Sequence, residues 1–251
     1  MNWFWISRRS GATVEVPVPS VDSSVATRLL PALLSVIAGS TDVISFLGLA
    51  GLFTAHITGN LVILAAHVVT GGEAGIAPML SVPVFMAVLG IARVLASALE
   101  TVGIASLRPL LLLQFLLLAG FLLLCEAGAA GFSPPATRGI AAGMLGVSAM
   151  AVQNALVQIS LKGAPSTAVM TTNLTRFMMD LGDIAVGRDP ENRAKARIRA
   201  RHTWPAIAGF ALGCALGAAC EARFGLRALA LPAGLALLAF IMVLLDAGGD
   251  K

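Results

Sequence analysis

Charge is what this sequence has least of. Only 12% of its 251 residues are Asp, Glu, Lys or Arg, whereas a soluble domain carries roughly a quarter because its surface must face water. That shortage excludes a soluble enzyme domain, and the apolar majority excludes a disordered chain. Cysteine is scarce too. Cys125, Cys214 and Cys220 are odd in number and lie in apolar stretches without metal-ligand spacing, so they make no disulfide framework and read as small buried hydrophobes. Tyrosine is absent, and no phosphate-cradling loop, paired-histidine zinc motif or serine elbow occurs. The expectation is a protein that is not an enzyme and that takes no cofactor and no metal.

What is present in excess is apolar surface, at 57% of residues. The bilayer is therefore the expected solvent. The net charge of +4 comes from basic residues beside apolar spans, where cytoplasmic loops carry them, and this argues against nucleic acid as a partner. The densest run lies from Arg188 to Arg201, where eight of fourteen positions are charged.

Six stretches have the length that crosses a hydrocarbon core of roughly 30 Å. They are residues 29–48, 82–103, 110–126, 139–161, 204–220 and 226–245. Two further segments are compromised: 52–70 is broken by Thr58, Gly59 and Asn60, and 167–186 carries Arg176, Asp180 and Asp183. The fold expected is an all-α integral membrane protein with about six transmembrane helices plus two broken or re-entrant segments. Arg8, Arg9 and Arg28 place the amino terminus in the cytoplasm, with the aromatic start Trp3, Phe4 and Trp5 at the interface, and the basic run falls on the same side. If the broken segments also span, eight crossings satisfy the same ends.

The chain also repeats itself. Residues 54–61 read TAHITGNL and residues 167–174, offset by 113, read TAVMTTNL, with five of eight positions identical. Each copy follows an apolar span and precedes two more. The organisation expected is a cytoplasmic tail over 1–28, a first membrane repeat over 29–126 and a connecting loop over 127–138. A second repeat follows over 139–246, with a basic cytoplasmic loop at 187–202, and a short tail at 247–251. Breaks at matching places in two halves point to a transporter site, because irregular backbone at membrane depth survives only where protein or a water-filled cavity satisfies it. Asn60 is expected to cap a helix beginning at Leu61, and Asn173 one beginning at Leu174. Re-entrant half-helices would then aim their positive ends at the midplane, which suits anions or neutral solutes.

These residues resemble the YoaK family of bacterial membrane proteins, a family of unknown function. The matching positions are Gly39, Thr41 and Asp42, then Phe53, Ala55, His56 and the string Thr58-Gly59-Asn60. In the second half they are Gln153-Asn154-Ala155 and Thr171-Thr172-Asn173. The resemblance covers nearly all of the chain after residue 28. It implies six spans in the bacterial inner membrane and supplies no substrate.

The candidate substrate-binding residues are Asp42, His56, Thr58, Gly59, Asn60, Gln153, Asn154, Thr171, Thr172 and Asn173. Asp42 lies about 20 Å along its span, and a carboxylate at such depth is a candidate for proton coupling or ion binding, the alternative being a helix-packing carboxylate satisfied by Ser40, Thr41 or a neighbouring amide. Gln153 and Asn154 lie at comparable depth in the second half and are expected to face it. Arg176 and Asp180, four apart on one helix face, form a candidate gate or internal ion pair. Arg93 is expected to snorkel or to pair with Glu100. The function expected is passage of a small solute through a site between two repeats. The alternative is a membrane scaffold whose polar motifs hold helices together. The partners expected are the lipid bilayer and an unidentified small solute, with self-association left open.

The topology is testable with single cysteines in a cysteine-free background. Residues 74 and 129 label from the periplasm if six spans are correct and from the cytoplasm if eight are. Residue 194 labels from the cytoplasm in both cases, and external labelling there would overturn the charge argument.

Overall fold

The computed structural model describes residues 25–70, 76–127 and 136–246. Among them all regular structure is helical. The order is α1 (Val25–Gly48), α2 (Ile57–Thr70), α3 (Ile76–Thr101), α4 (Leu107–Glu126), α5 (Ala136–Ser160), α6 (Met170–Val186), α7 (Pro190–Phe224), a 3-10 turn (Gly225–Leu229) and α8 (Ala230–Asp246). Arg8, Arg9, the Trp3, Phe4 and Trp5 start, the tail at 247–251 and most of the connecting loop lie outside the described residues.

Five stretches are long and apolar enough to cross a membrane, the last of which, Pro190–Asp246, holds α7, the 3-10 turn and α8. The two compromised segments are shorter helices. α2 has 14 residues and α6 has 17, about 21 Å and 26 Å, less than the roughly 30 Å of a hydrocarbon core.

One expectation fails at 187–202. Instead of a loop, the basic run is helical from Pro190 and continues unbroken into the apolar part of α7, 35 residues in all. The local sequence explains this. Asp189 accepts a hydrogen bond from the Glu191 amide at 3.0 Å, Pro190 suits the first helical position, and Glu191 complements the helix's positive end. Arg, Lys and Ala then alternate, all good helix formers. At about 52 Å, α7 exceeds the hydrocarbon core by roughly 20 Å, so its charged start extends into water. Helix starts also come early elsewhere, at Val25, Ile76 and Ala136.

The bundle is built around α1 and α5. In their most apolar windows 67% of α1 and 72% of α5 is buried, against 17% of α3, whose Met86, Ile91 and Val94 are exposed. α1 packs on α7 and α8, and α5 packs on α3 and α4. α2 lies on α3, and α6 on α7. Exchanging α1–α4 with α5–α8 converts each of these pairs into another of them, and the α4–α8 pair into itself.

The α1–α7 seam is the closest. Gly209, Gly213 and Gly217, spaced by four, form one stripe on α7 against Ala32, Val36 and Ser40 of α1, so the two helices run parallel. A methyl at Gly209 would stand 2.6 Å from the Ala32 carbonyl oxygen, and one at Gly217 would stand 2.9 Å from that of Ser40. Those neighbours are backbone and cannot turn aside. On α1, Gly39 meets the Phe210 carbonyl in the same way. Elsewhere, ends of opposite halves meet. Gly143, early in α5, lies against Leu49 and Leu52 just past α1, and Arg227 of the 3-10 turn pairs with Glu126 at the end of α4, 3.2 Å apart.

This seam predicts an asymmetric response to one added methyl. Gly213→Ala collides with the Val36 backbone and is expected to cost about 1–3 kcal/mol as an overpacked contact. Gly234→Ala on α8 meets open space and is expected to be neutral or slightly stabilising. Thermal unfolding of both variants in one detergent checks this. Equal losses would show that the seam is not in backbone contact.

Candidate functional site

The first break begins where α1 ends. Ala50 has φ 51° and Gly51 φ 84°, and the Gly51 amide donates to the Phe46 carbonyl at 2.9 Å. This left-handed pair turns the chain back toward α1, at some strain for the alanine. Residues 53–56 then run across Asp42. One carboxylate oxygen, Oδ1, accepts from the Thr54 amide at 2.7 Å, the Ala55 amide at 2.7 Å and the Thr54 hydroxyl at 3.1 Å. The other, Oδ2, meets His56 Nδ1 at 2.5 Å. Asp42 is 3% exposed, so each donor replaces water that the site lacks.

Asn60 completes the break in a different manner from that expected. α2 begins at Ile57, which puts Asn60 inside the first turn instead of at a cap before Leu61. Its side chain reaches back to Phe53, accepting from the amide at 2.9 Å and donating to the carbonyl at 2.7 Å, and it also donates to Ser81 of α3 at 2.8 Å. The short turn of extended backbone at Phe53 has no helical partner, and a primary amide supplies both missing groups at once. Asn173 acts similarly. α6 begins at Met170, again 113 beyond its counterpart, with Val169 offering no side-chain cap. Asn173 donates to the Ser166 carbonyl at 2.6 Å, seven residues back, as Asn60 does to Phe53.

The two breaks differ in what receives their amides. At the position matching Asp42 the second half has Ala155. There Ser166 takes over, its hydroxyl accepting from Val169 at 2.9 Å and Ala168 at 3.4 Å. Thr167, the counterpart of Thr54, bonds to Gln153 at 2.9 Å. Gln153 also donates to the Leu34 carbonyl of α1 at 2.9 Å and accepts from Gln114 of α4 at 2.7 Å. Gln153 therefore ties α5 to α1, α4 and the second break and makes no bond to Asp42. Asn154 is turned to its own helix, donating to the Met150 carbonyl at 2.8 Å.

A cavity of about 520 Å³ opens beside the first break. Asp42 and Val43 of α1, His56, Thr58 and Gly59 line it from the first half, and Phe210 and Cys214 of α7 line it from the second. His56 sits between the rings of Phe53 and Phe210, edge to face with both, at centroid distances of 6.0 and 5.4 Å. Its Nδ1 is held by Asp42 while 39% of the side chain stays exposed, which leaves the second ring nitrogen to the cavity. Asn60 is fully buried behind this wall.

The remaining candidates lie apart. A second cavity, about 440 Å³, is lined by Asn173, Arg176, Asp180, Asp183, Arg199 and His202 among others, and shares no residue with the first. Thr171 and Thr172 are exposed on α6 and line neither. The expected Arg176–Asp180 pair is replaced. Asp180 accepts from Arg199 Nε of α7 at 2.8 Å, and the same guanidinium reaches Asp183 at 3.6 Å. Asp180 is buried against α7, where Arg199 reaches it, whereas Arg176 lies exposed on α6. Arg93 is exposed and makes no ion pair with Glu100; seven residues put their Cα atoms about 10 Å apart on one helix. Neither are the two half-helix ends aimed at one shared midplane site. The amides of Thr54 and Ala55, just before α2, are taken by the chain's own carboxylate, whose charge disfavours an anion there.

Sequence reasoning missed Gln114, Ser81, Ser166, Phe210, Cys214 and Arg199. Gln114 was visible as a lone polar residue in a run of leucines, and Ser166 as the counterpart of Phe53. Nothing local marks the others, which enter by packing. Residues 30–242 match the family described as "Protein of unknown function (DUF1275)". No curated protein and no solved structure matches the chain.

The geometry ranks the two asparagines. Asn60→Ala leaves Phe53 amide and carbonyl groups unpartnered and frees Ser81, and is expected to cost about 2–4 kcal/mol. Asn173→Ala loses one carbonyl contact and is expected to cost about 1 kcal/mol. Unfolding of both variants in one detergent measures the order, and a larger loss at Asn173 would overturn it.

Proposed function

This chain belongs to the DUF1275 family of proteins of unknown function, and we propose that it passes a small solute across the bacterial inner membrane through the cavity between its two halves. The observation that carries the reading is the Asp42–His56 pair. A carboxylate fixed by three donors orients an imidazole, and the imidazole faces a cavity walled by α1 and the first break on one side and α7 on the other. Such a pair holds or releases one proton inside a membrane, which is what coupling needs. We read the family as that of YoaK, on the string from His56 to Asn60.

The same reading takes the halves as inverted repeats with six crossings and a cytoplasmic amino terminus. Two contacts support it. With six crossings, the ends of α4 and α7 lie on one face, where Arg227 meets Glu126, and the end of α1 lies beside the start of α5, where Leu52 meets Gly143. Eight crossings would put each of these pairs on opposite faces. α2, with 14 residues, and α6, no longer than α8 but carrying Arg176, Asp180 and Asp183, are re-entrant, and the chain entering each is hydrogen-bonded within the protein. The basic start of α7 lies in the cytoplasm, where it meets anionic lipid headgroups. No catalytic role is proposed, and the partners are lipid and the solute.

The scaffold alternative predicts a dry centre, so water in the cavity decides. In a cysteine-free background, Val62→Cys on the cavity wall is expected to react with a charged methanethiosulfonate about tenfold or more faster than Met86→Cys on the exposed face of α3, because only an ionised thiol reacts and hydrocarbon suppresses ionisation. Equally slow reaction at both positions would sink the solute-site reading in favour of the scaffold.

A further inference from the structure

The chemistry of the cavity wall selects a class of solute, an inference that rests on the solute-site reading above. We propose that the cavity takes a small organic cation, an ammonium on an apolar body, in exchange for the proton on His56.

Charge is the first argument. Among the described residues the titratable groups on the wall are Asp42 from α1, His56 at the break and Cys214 from α7; α2 contributes Thr58, Gly59 and Val62, which do not titrate, and no described Lys or Arg lines the cavity. With His56 neutral the wall holds one negative charge, that of Asp42, and a bound cation brings the site to neutrality. An anion would need the imidazolium and would still leave one uncompensated negative charge in a low-dielectric region. Phosphorylated and dicarboxylic solutes fit worse still, for want of a guanidinium or ammonium to meet them.

Coordination is the second argument. Both carboxylate oxygens are already engaged, Oδ1 by three donors and Oδ2 by His56. An inorganic cation replaces its water shell with several free oxygens, and the wall offers one hydroxyl, that of Thr58. An organic ammonium asks for less. One N–H donates to the free ring nitrogen of His56, while Val43, Phe53, Val62 and Phe210 receive the apolar body, and the two phenyl rings favour positive charge near their faces.

The exchange then balances one for one. The imidazolium releases its Nε2 proton to water, and the ammonium N–H takes that proton's place as donor to the freed lone pair. The Nδ1 proton stays between His56 and Asp42 throughout. Proton and solute exclude one another because both require the same nitrogen and the same single negative charge.

Cys214 on the wall reports occupancy. The full chain is purified with Cys125→Ala and Cys220→Ala, and the alkylation of Cys214 by iodoacetamide is timed with and without benzylammonium, benzyl alcohol or benzoate. Benzylammonium is expected to slow the reaction about tenfold at saturation, with the ratio of protected to unprotected rates deepening from pH 6 to pH 8, whereas benzoate and benzyl alcohol leave the rate within about twofold. His56→Gln, which keeps the negative charge and removes the protonatable ring, is expected to retain protection and lose its pH dependence. Protection by benzoate or benzyl alcohol equal to that by benzylammonium would overturn the cation class while leaving a solute cavity in place. So would a His56→Gln profile that still follows pH. A Cys214 that reacts only after denaturation would show a closed cavity, and then the solute-site reading itself falls.

Discussion

The structure depends on how one carboxylate meets a run of backbone that no helix can satisfy. Between α1 and α2 the chain leaves helical geometry where the protein buries it, and every free amide there is costly. Asp42 takes the amides of Thr54 and Ala55 and the Thr54 hydroxyl on one oxygen. That leaves the second oxygen for His56. The ionised form suits this task, since a carboxylate accepts from several donors and the amides preceding a helix favour negative charge. The same bonds that make the break tolerable orient the imidazole toward the cavity, so stability and the candidate chemistry share one residue.

Around that point the packing fixes distances. The glycine stripe of α7 lets its backbone touch that of α1, and without side chains between them the two helices hold a fixed separation. Phe210 and Cys214 therefore reach the same cavity as Asp42 and His56. In lipid there is no hydrophobic drive between apolar helices, so close backbone contact and buried polar ties do the joining. Gln153 provides such a tie on the other side of α1, bonding α5 to α1 and α4. The exposed apolar residues of α3 would be a liability in water and are suited to acyl chains.

The two halves solve the same backbone problem with different chemistry. Asn60 and Asn173 both reach seven residues back to the chain entering the break. Only the first break adds a carboxylate and an imidazole; the second uses a serine hydroxyl and a glutamine amide. The second half closes its break with neutral groups. The carboxylate and imidazole set the first apart, and this difference places the candidate site in the first half although the sequence strings of the two breaks look alike.

By itself the sequence determined the solvent, the helical class and the two regions where helices are interrupted, although α2 and α6 each begin four residues before the expected starts at Leu61 and Leu174, so Asn60 and Asn173 lie in their first turns. These follow from composition, from run length against bilayer thickness and from the cost of polar groups in hydrocarbon, all of which are local or additive along the chain. It misjudged the start of α7, because capping by Asp189 and Pro190 outweighed the polarity of the basic run. It also misassigned partners. Whether Asp180 meets Arg176 or Arg199, and whether Gln153 meets Asp42 or Leu34, depends on which helix faces lie together. Tertiary structure alone decided that Phe210 and Cys214 wall the cavity and that Asn60 is hidden behind it, because a residue four turns along another helix carries no mark of its neighbour until the backbones close along their glycine seam.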